Sequence, residues 1–370
     1  MSQDPRLTAL AASLPASVPF VGPEALERSN GFPFTARLGA NECGFGPSPL
    51  AIKAMQDTAS EAWMYADPES HGLRQALARV HDIPADCIMV GEGIDALLGN
   101  LVRLFISAGD AVVTSAGAYP TFNYHVNGYG GTLHTVPYTG DFEDPARLIA
   151  KAKEVRAKLV YIANPDNPMG TVHTGRDIAR MISALPENCL LILDEAYVEF
   201  APKGSAPAMS PTDPRVIRMR TFSKAYGLAG ARVGYAISSP DIIDSFNKVR
   251  NHFGMNRMSL AGALAALGDT AHLKSVVKQV EKSRARIATI ALENGLTPLK
   301  SATNFVAIDC GKDGAFAAQL VAELGKLGIF VRMPFVAPQN RCIRVSCGPD
   351  REMGLLAAAL PIALAAANKP

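Results

Sequence analysis

The sequence lacks both an export signal and an apolar run long enough to cross a membrane. Its first residues, MSQDPRLTALAASLP, contain neither a basic start nor a continuous apolar segment. The longest apolar stretch, residues 353–367, is interrupted by Pro361 and is shorter than the roughly 20 residues that span a bilayer. We therefore expect a cytoplasmic protein without membrane contact, whose last apolar stretch is a packed terminal helix.

Charged residues are also scarce, and the cysteines form no recognisable spacing pattern. Charged residues make up 19% of the 370 residues and nearly balance, which leaves a formal net charge of +2. Without a basic stripe, repeat or low-complexity tract, the composition argues against a nucleic-acid partner and against disorder. The six cysteines are scattered and form no CxxC pair, so we expect reduced thiols and no metal site.

Apolar residues are abundant, at 48% of the sequence, and the length favours two domains. Between residues 70 and 240, strand-like runs alternate with amphipathic stretches, which predicts an α/β domain with a largely parallel sheet. The predicted strands are residues 87–90, 111–115, 132–136, 159–163, 190–193, 216–221 and 233–237.

A long helical pattern at residues 269–294 leads into a second region. There, strand-like runs at 304–309, 329–331 and 341–346 alternate with helical segments, which predicts a smaller α+β domain. We therefore divide the chain into an N-terminal segment, a large domain and a small C-terminal domain, at residues 1–37, 38–245 and 246–370. The Pro- and Gly-rich N-terminal segment is expected to wrap an edge of the fold.

The strongest local signal is the segment Arg220-Thr-Phe-Ser-Lys-Ala-Tyr-Gly-Leu-Ala-Gly-Ala-Arg232, which begins in a predicted strand. A lysine that forms a Schiff base must be neutral to attack a carbonyl, so Lys224 would need partial burial and a lowered pKa. Ser223 and Arg232 would suit a phosphate, through a hydroxyl and a guanidinium fork. A surface lysine beside a structural turn is the alternative.

Two further strand ends carry polar residues. Asp194 follows an apolar run, where a carboxylate is poorly solvated but can keep a pyridine nitrogen protonated, the property that makes pyridoxal phosphate an electron sink. Tyr197 can donate a hydrogen bond to the ring hydroxyl of such a cofactor. In residues 161–170, two Asn-Pro steps fix a rigid turn that can hold the Asn167 amide against a ring oxygen. The respective alternatives are an acid that caps the following turn and a purely structural turn.

A glycine-containing segment, Val90-Gly-Glu-Gly-Ile-Asp-Ala96, opens an amphipathic helix. Free amides at a helix N-terminus bind phosphate readily. The same string fits GxGxxA, so an NAD-dependent oxidoreductase is a competing hypothesis. That hypothesis needs an acid at the end of the second strand, whereas Asp110, which has nearly the required spacing, precedes the predicted strand 111–115.

Near the C-terminus, residues 341–347 alternate like a half-buried strand, with Arg344 on the face opposite Ile343 and Val345. A planar guanidinium on a strand suits bidentate capture of a carboxylate. An edge-strand arginine paired with a surface acid is the alternative.

Taken together and in this order, these segments resemble the fold-type I pyridoxal-phosphate-dependent aminotransferases, and most closely the histidinol-phosphate aminotransferase family, over residues 38–348. The resemblance implies a large mainly parallel-sheet domain plus a smaller α+β C-terminal domain. It implies pyridoxal 5′-phosphate as the cofactor. It also implies amino transfer between histidinol phosphate, or an aromatic or bulky amino acid, and a 2-oxo acid such as 2-oxoglutarate.

The resemblance also implies roles for individual residues. On the catalytic side, Lys224 resembles the Schiff-base lysine, Asp194 the pyridine-nitrogen partner, and Tyr197 and Asn167 the ring-oxygen contacts. The phosphate ligands would be Ser223, Arg232 and the helix start at Gly93, Ile94 and Asp95, and Phe122 would stack on the cofactor ring. Tyr65 matches a tyrosine that reaches the phosphate from the other subunit, which implies a homodimer. The substrate-side residues would be Arg344 for the α-carboxylate, with Asn41, Arg332 and Phe20.

Departures from the family pattern lie mostly on the substrate side. Pro19-Phe20 stands where the family usually has Pro-Tyr, and Gly-Ile-Asp-Ala where Gly-Ser-Asp-Glu is commoner. The segments after Arg332 and at residues 250–256 also differ from the usual ones. A decarboxylase of a phosphorylated amino acid would share every cofactor contact and stays an alternative. A non-catalytic cofactor-binding regulator would need an appended DNA-binding module, and none is visible.

Overall fold

The structure is a computed structural model that describes residues 6–16, 20–208, 211 and 213–369, so that Pro19 lies outside the described residues. The strands are β1 (Ala36–Arg37), β2 (Ile88–Gly91), β3 (Ala111–Ser115), β4 (Thr132–Val136), β5 (Leu159–Ala163), β6 (Leu190–Asp194), β7 (Val216–Thr221), β8 (Gly234–Ile237), β9 (Thr297–Pro298), β10 (Phe305–Asp309), β11 (Ile329–Phe330) and β12 (Cys342–Ser346). The helices are α1 (Ala9–Ser13), α2 (Pro23–Asn30), α3 (Pro49–Thr58), α4 (His71–His81), α5 (Gly93–Phe105), α6 (Pro120–Gly128), α7 (Pro145–Val155), α8 (Gly175–Ser183), α9 (Pro240–Ser245), α10 (Arg257–Gly268), α11 (Thr270–Glu293), α12 (Gly314–Lys326) and α13 (Asp350–Ala367).

A seven-stranded sheet in the order β2-β8-β7-β6-β5-β3-β4 forms the centre of the large domain. Its strands run parallel except β8, which is antiparallel to both β2 and β7. The exception has a simple cause, because residues 222–233 join β7 to the neighbouring β8 without a crossover, and strands joined in this way run in opposite directions. The predicted α/β class and its largely parallel sheet are confirmed.

Helices cover both faces of this sheet. Alternate residues of β5 enter opposite cores: Leu159 and Tyr161 pack with α5 and α6, whereas Val160 and Ile162 pack with α7 and α8. This two-sided burial explains why β5 and β6 have continuous apolar sequences rather than alternating ones.

A second core holds the C-terminal region together. Strands β9, β10 and β12 form an antiparallel sheet, and β1 of the N-terminal segment pairs in parallel with β11. This pairing fits the expectation that the N-terminal segment wraps an edge, although that segment also contains α1 and α2, which no sequence pattern indicated. Helix α10 contacts α3 and α4 of the large domain, so the boundary at residue 245 stays a prediction.

The large sheet brings several loops together at one edge. Parallel strands present their carboxyl ends at the same edge, where ligands of open α/β sheets bind. At this edge, Asp194 ends β6, and the segments that follow β2, β5 and β7 carry Gly93, Asn167 and Lys224. Within the described part of the chain, no helix combines the length and the apolar character that a membrane crossing requires.

Candidate active site

Lys224 lies just beyond β7 and points towards Asn41. Its Nζ donates a hydrogen bond to the backbone carbonyl of Asn41 at 3.1 Å and lies 5.7 Å from the centroid of the Tyr197 ring. Burial, followed by the positive charge of Arg344, lowers the pKa of Lys224 to about 8. A substantial fraction of this lysine is therefore neutral near pH 8, which a carbonyl-attacking amine requires.

Asp194 ends β6 and is buried. Its Oδ2 accepts a hydrogen bond from the hydroxyl of Tyr161 at 2.7 Å, and its Oδ1 accepts one from the Ala196 amide at 2.9 Å. Burial raises the pKa of Asp194, while the bond from Tyr161 opposes that rise. Tyr161 was not assigned a role from the sequence. Its position in β5 opposite Ile192 puts it diagonal to Asp194 on the neighbouring strand, a relation that follows from the strand register and not from the local sequence.

The start of α5 faces Ser223 and Arg232. Glu92, the N-cap residue of α5, makes no side-chain capping bond, so the first-turn amides are available to an anion. Arg232 donates from Nη1 to the Ser223 hydroxyl at 3.3 Å. At Gly93, where φ is +87°, a Cβ would stand 2.4 Å from Nη2 of Arg232. This space, lined by amides, a hydroxyl and a guanidinium, fits a phosphate group.

The side chain of Asp95 turns away from that space. Its Oδ1 pairs with Nε2 of His125 on α6 at 3.0 Å. This pairing keeps the carboxylate oriented towards α6, so the contribution of Asp95 and Ile94 to an anion site is through their amides.

Two aromatic residues near the start of α6 have different surroundings. Phe122 is 0% exposed and stacks on Tyr161 with ring centroids 4.8 Å apart. Tyr119, which caps the helix, interacts electrostatically with Asp194 and Arg232, and burial raises the pKa of Tyr119. Phe122 therefore keeps no exposed face for a ligand, whereas Tyr119 lies among the residues predicted to hold the cofactor.

Asn41 connects three parts of the site. Its backbone has a φ of +55°, and its Nδ2 donates to the hydroxyl of Tyr197 at 3.1 Å. Its Oδ1 accepts a hydrogen bond from the hydroxyl of Ser346 at 3.2 Å. Burial raises the pKa of Tyr197, so this hydroxyl keeps its proton and can donate it to a ligand.

The two arginines that the sequence predicts for the substrate side lie next to each other. Arg332 and Arg344 form an antiparallel bridge through their backbones. Arg344 donates from Nη1 to Oδ1 of Asn167 and from Nη2 to the carbonyl of Gly39 at 3.2 Å. The guanidinium of Arg332 lies 3.6 Å from the centroid of Phe20 and donates to the carbonyl of Val21. Burial lowers the pKa of both arginines, that of Arg332 to about 10.

In a single chain, Tyr65 lies away from this cluster of predicted site residues. It is 76% exposed, with its ring 4.5 Å from that of Phe253, and Trp63 beside it is 82% exposed. The structure thus brings together the predicted residues other than Tyr65 and Phe122, which lie on the surface and in the core, respectively.

The competing dinucleotide hypothesis finds no support in the geometry. Asp110 precedes β3, while Gly93 follows β2, so the two residues lie at opposite edges of the sheet. Asp110 is also engaged by Lys158, whose Nζ is 2.6 Å from its Oδ2. An acid so placed cannot contact a ribose bound at the start of α5.

Comparisons with known proteins agree with this geometry. The family model of class I and II aminotransferases matches residues 35–360. A histidinol-phosphate aminotransferase of Anaeromyxobacter sp. strain Fw109-5 is 35% identical over 355 residues, covering 94% of this chain and 96% of that protein. A histidinol-phosphate aminotransferase 1 of Nitrosococcus oceani is 35% identical over 332 residues, covering 89% of each chain.

A solved structure is more similar still. The histidinol-phosphate aminotransferase of Sinorhizobium meliloti, crystallised in complex with pyridoxal-5′-phosphate, is 54% identical, covers 99% of each chain and superposes with a TM-score of 0.95. The fold, the lysine at the sheet edge and these similarities agree. The chain belongs to the class I and II aminotransferases, and with them to the pyridoxal-phosphate-dependent enzymes.

Proposed function

We propose that this enzyme transfers an amino group from histidinol phosphate, or from an aromatic or bulky amino acid, to a 2-oxo acid such as 2-oxoglutarate. The observation that carries the proposal is the convergence of Lys224, with its lowered pKa, and Arg344 at one pocket. The naming of similar proteins as histidinol-phosphate aminotransferases supports that donor among the alternatives.

In this proposal the cofactor phosphate is bound by the amides of Gly93, Ile94 and Asp95, with Ser223 and Arg232. Bound pyridoxal phosphate supplies an electron sink that stabilises negative charge on the substrate carbon. Asp194, oriented by Tyr161, holds the pyridine nitrogen protonated. Tyr197 and Asn167 bind ring oxygens.

We assign the ring-stacking position to Tyr119 rather than to Phe122. A stacking ring needs an open face, and Phe122 has none because Tyr161 covers it. Phe122 then lies behind the cofactor site, where it packs against Tyr161, the tyrosine that orients Asp194. Tyr119 would meet the cofactor ring from the side of α6.

Lys224 is proposed to hold the cofactor and then to move the substrate α-proton as a general base. Its distance of 3.1 Å from the Asn41 carbonyl gives the free amine a hydrogen-bond acceptor when it is released from the cofactor. Arg344 orients the substrate by its carboxylate, with Asn41, Arg332 and Phe20 lining the remaining substrate side.

We further propose that two copies of the chain pair through the surface that carries Tyr65. Trp63, Tyr65 and Phe253 are large and exposed, and contiguous exposed aromatics on a single chain mark an interaction site. In the homodimer, Tyr65 would reach the phosphate of its partner.

The test is the visible absorption of the purified enzyme, loaded with pyridoxal phosphate, before and after addition of single amino donors that include histidinol phosphate. Loss of the yellow absorbance with histidinol phosphate, and its recovery with 2-oxoglutarate, would support the assignment. Release of carbon dioxide without formation of glutamate would favour the decarboxylase alternative. An enzyme that stays colourless after incubation with pyridoxal phosphate would contradict the role of Lys224.

A further inference from the structure

Two buried carboxyl groups, Glu143 and Asp166, lie behind the substrate side of the pocket and take no part in the chemistry above. Their residues are 1% and 2% exposed, and the two carboxyls lie within hydrogen-bonding reach of each other. Two carboxylates in a dry interior repel each other strongly, so such a pair is stable only if it retains a proton or binds a cation.

The contacts of the pair are made by neutral donors. Glu143 accepts hydrogen bonds from the Ser115 hydroxyl at 2.6 Å and the Ala163 amide at 2.9 Å. Asp166 accepts them from the Tyr138 hydroxyl at 2.9 Å and the Met169 amide at 3.0 Å. Counting only residues that the structure describes, no lysine or arginine forms an ion pair with either carboxyl. Among the described residues, therefore, no cation lies at ion-pair distance to balance two negative charges at this position.

The titratable and charged groups that face the pair from the neighbouring elements are Tyr138, Tyr161, His173 and Arg344. His173 contacts the backbone carbonyl of Glu143 at 2.8 Å and not its carboxyl group. Burial, followed by the charge of Asp166, raises the pKa of Glu143 well above its usual range. The pKa of Asp166 is also raised by burial, but hydrogen bonds to its carboxylate oppose the rise. These directions favour the proton on Glu143 over Asp166.

The negative charge that remains on Asp166 acts on the guanidinium of Arg344. This guanidinium contacts the Asn167 side chain, the Gly39 carbonyl and the ring of Phe305 at 5.2 Å. It forms no ion pair with a carboxylate of the described chain. Asp166 directly precedes Asn167, and its negative charge and the positive charge of Arg344 attract each other. Asp166 thus occupies the place of a countercharge for Arg344.

We propose that Glu143 and Asp166 share one proton, and that the single negative charge left on the pair positions Arg344 and weakens its hold on a substrate carboxylate. The inference rests on the proposed function, in which Arg344 binds that carboxylate. A carboxylate bound to Arg344 is repelled by ionised Asp166 across a low-dielectric interior, which favours release of the product acid. By Coulomb's law, removal of this charge should tighten carboxylate binding by about three- to tenfold.

The experiment compares two nearly isosteric substitutions in the holoenzyme. Asp166→Asn removes the negative charge, whereas Glu143→Gln leaves Asp166 ionised and still provides an N–H donor towards it. The probe is succinate, a carboxylate that cannot be transaminated, and its dissociation constant is measured by calorimetry. We expect Asp166→Asn to bind succinate about three- to tenfold more tightly, and Glu143→Gln to stay within about twofold of the unsubstituted enzyme.

A purely structural role predicts the opposite sign, because a loosened loop at residues 164–171 would disturb Asn167 and weaken succinate binding. Weaker or unchanged binding in Asp166→Asn, or equal changes in both variants, would therefore overturn the proposal. Infrared difference spectra give a second readout: a protonated carboxyl band of the unsubstituted holoenzyme should vanish in Glu143→Gln, and a spectrum without this loss would overturn the shared proton.

The controls separate this inference from the proposed function. If the unsubstituted holoenzyme binds succinate and Arg344→Lys weakens that binding, Arg344 is the carboxylate site. In that case an unchanged Asp166→Asn variant refutes only the role of the acid pair. If Arg344→Lys binds succinate as tightly as the unsubstituted enzyme, Arg344 is not the carboxylate site. The inference about the acid pair, which depends on that assignment, is then refuted as well.

Discussion

The backbone carbonyl of Asn41 accepts a hydrogen bond from Nζ of Lys224 at 3.1 Å, although 183 positions separate the two residues. The amide of the Asn41 side chain donates at the same time to Tyr197. Asn41 therefore orients both the amine that we propose to transfer a proton and the proposed ring-oxygen donor. A positive φ of 55° at Asn41 makes this arrangement possible, because it lets the carbonyl and the side chain reach different partners.

The lowered pKa of Lys224, about 8, predicts how the apoenzyme captures pyridoxal phosphate. As pH rises through 8, Lys224 loses its proton and becomes a nucleophile, so the capture rate should rise and level off above about pH 9. Stopped-flow absorbance across pH 6–10 measures this profile. Replacement of Arg344 by Met removes a positive charge that lowers this pKa and should move the midpoint upward; a midpoint that does not move would contradict the electrostatic origin.

The lowered pKa of Lys224 also determines how the stability of the folded apoenzyme changes with pH. Because Lys224 titrates near 8 in the folded apoenzyme and near 10.5 when unfolded, the unfolded state binds more protons between these values. The contribution of Lys224 to the free energy of unfolding therefore increases as pH rises from about 8 to 10.5. Comparison of denaturant midpoints for the apoenzyme and its Lys224→Met variant isolates this contribution. A difference between them that is independent of pH would disprove it.

Tyr161→Phe should reduce turnover by about tenfold or more, because Asp194 loses a hydrogen bond to its carboxylate and binds the pyridine nitrogen less firmly. We expect the loss in kcat rather than in KM, because Tyr161 is buried and away from the substrate side. Steady-state kinetics with saturating cofactor measure it. Tyr124→Phe, a surface tyrosine change on α6, is the matched control, and equal losses in both variants would exclude the role of Tyr161.

Gly93→Ala should weaken binding of pyridoxal phosphate by at least about tenfold. The new Cβ would lie 2.4 Å from Arg232 Nη2 and force the guanidinium away from the phosphate position. Gly109→Ala is the control, because Gly109 has the same φ of +87° but no atom within 4 Å of the added Cβ. Both variants carry backbone strain of about 1 kcal/mol, so their melting temperatures should fall together while only Gly93→Ala loses cofactor affinity.

Arg344→Lys should raise the KM of both the amino donor and the 2-oxo acid by about 100-fold with a smaller change in kcat. A lysine keeps the charge but cannot form the bidentate contact with a carboxylate. Arg286→Lys on the exposed face of α11 serves as the control. A rise in KM for the donor alone would indicate that the two substrates use different carboxylate sites.

Much of this site is predictable from local sequence. Lys224 and Gly93 follow β7 and β2, Asp194 is the last residue of β6, and the predicted strand bounds at 111–115, 132–136, 159–163 and 216–221 agree with the structure. The strand predictions succeed because apolar runs report burial, and the ends of parallel strands share one edge of a sheet.

Tertiary structure decided which side chains meet, because contacts between distant residues depend on strand order and loop geometry rather than on local periodicity. Strand order set Tyr161 against Asp194, and pairing of β1 with β11 brought Asn41 to Lys224. At the start of α6, Pro120 fixes the first helical turn, so that Phe122 and Val126 share the buried face and Tyr119 is left towards the pocket. The sequence by itself determined the family and the fold class, and it singled out the lysine that we propose to be reactive. Only the three-dimensional arrangement revealed the tyrosine that orients Asp194 and the acid pair behind Arg344.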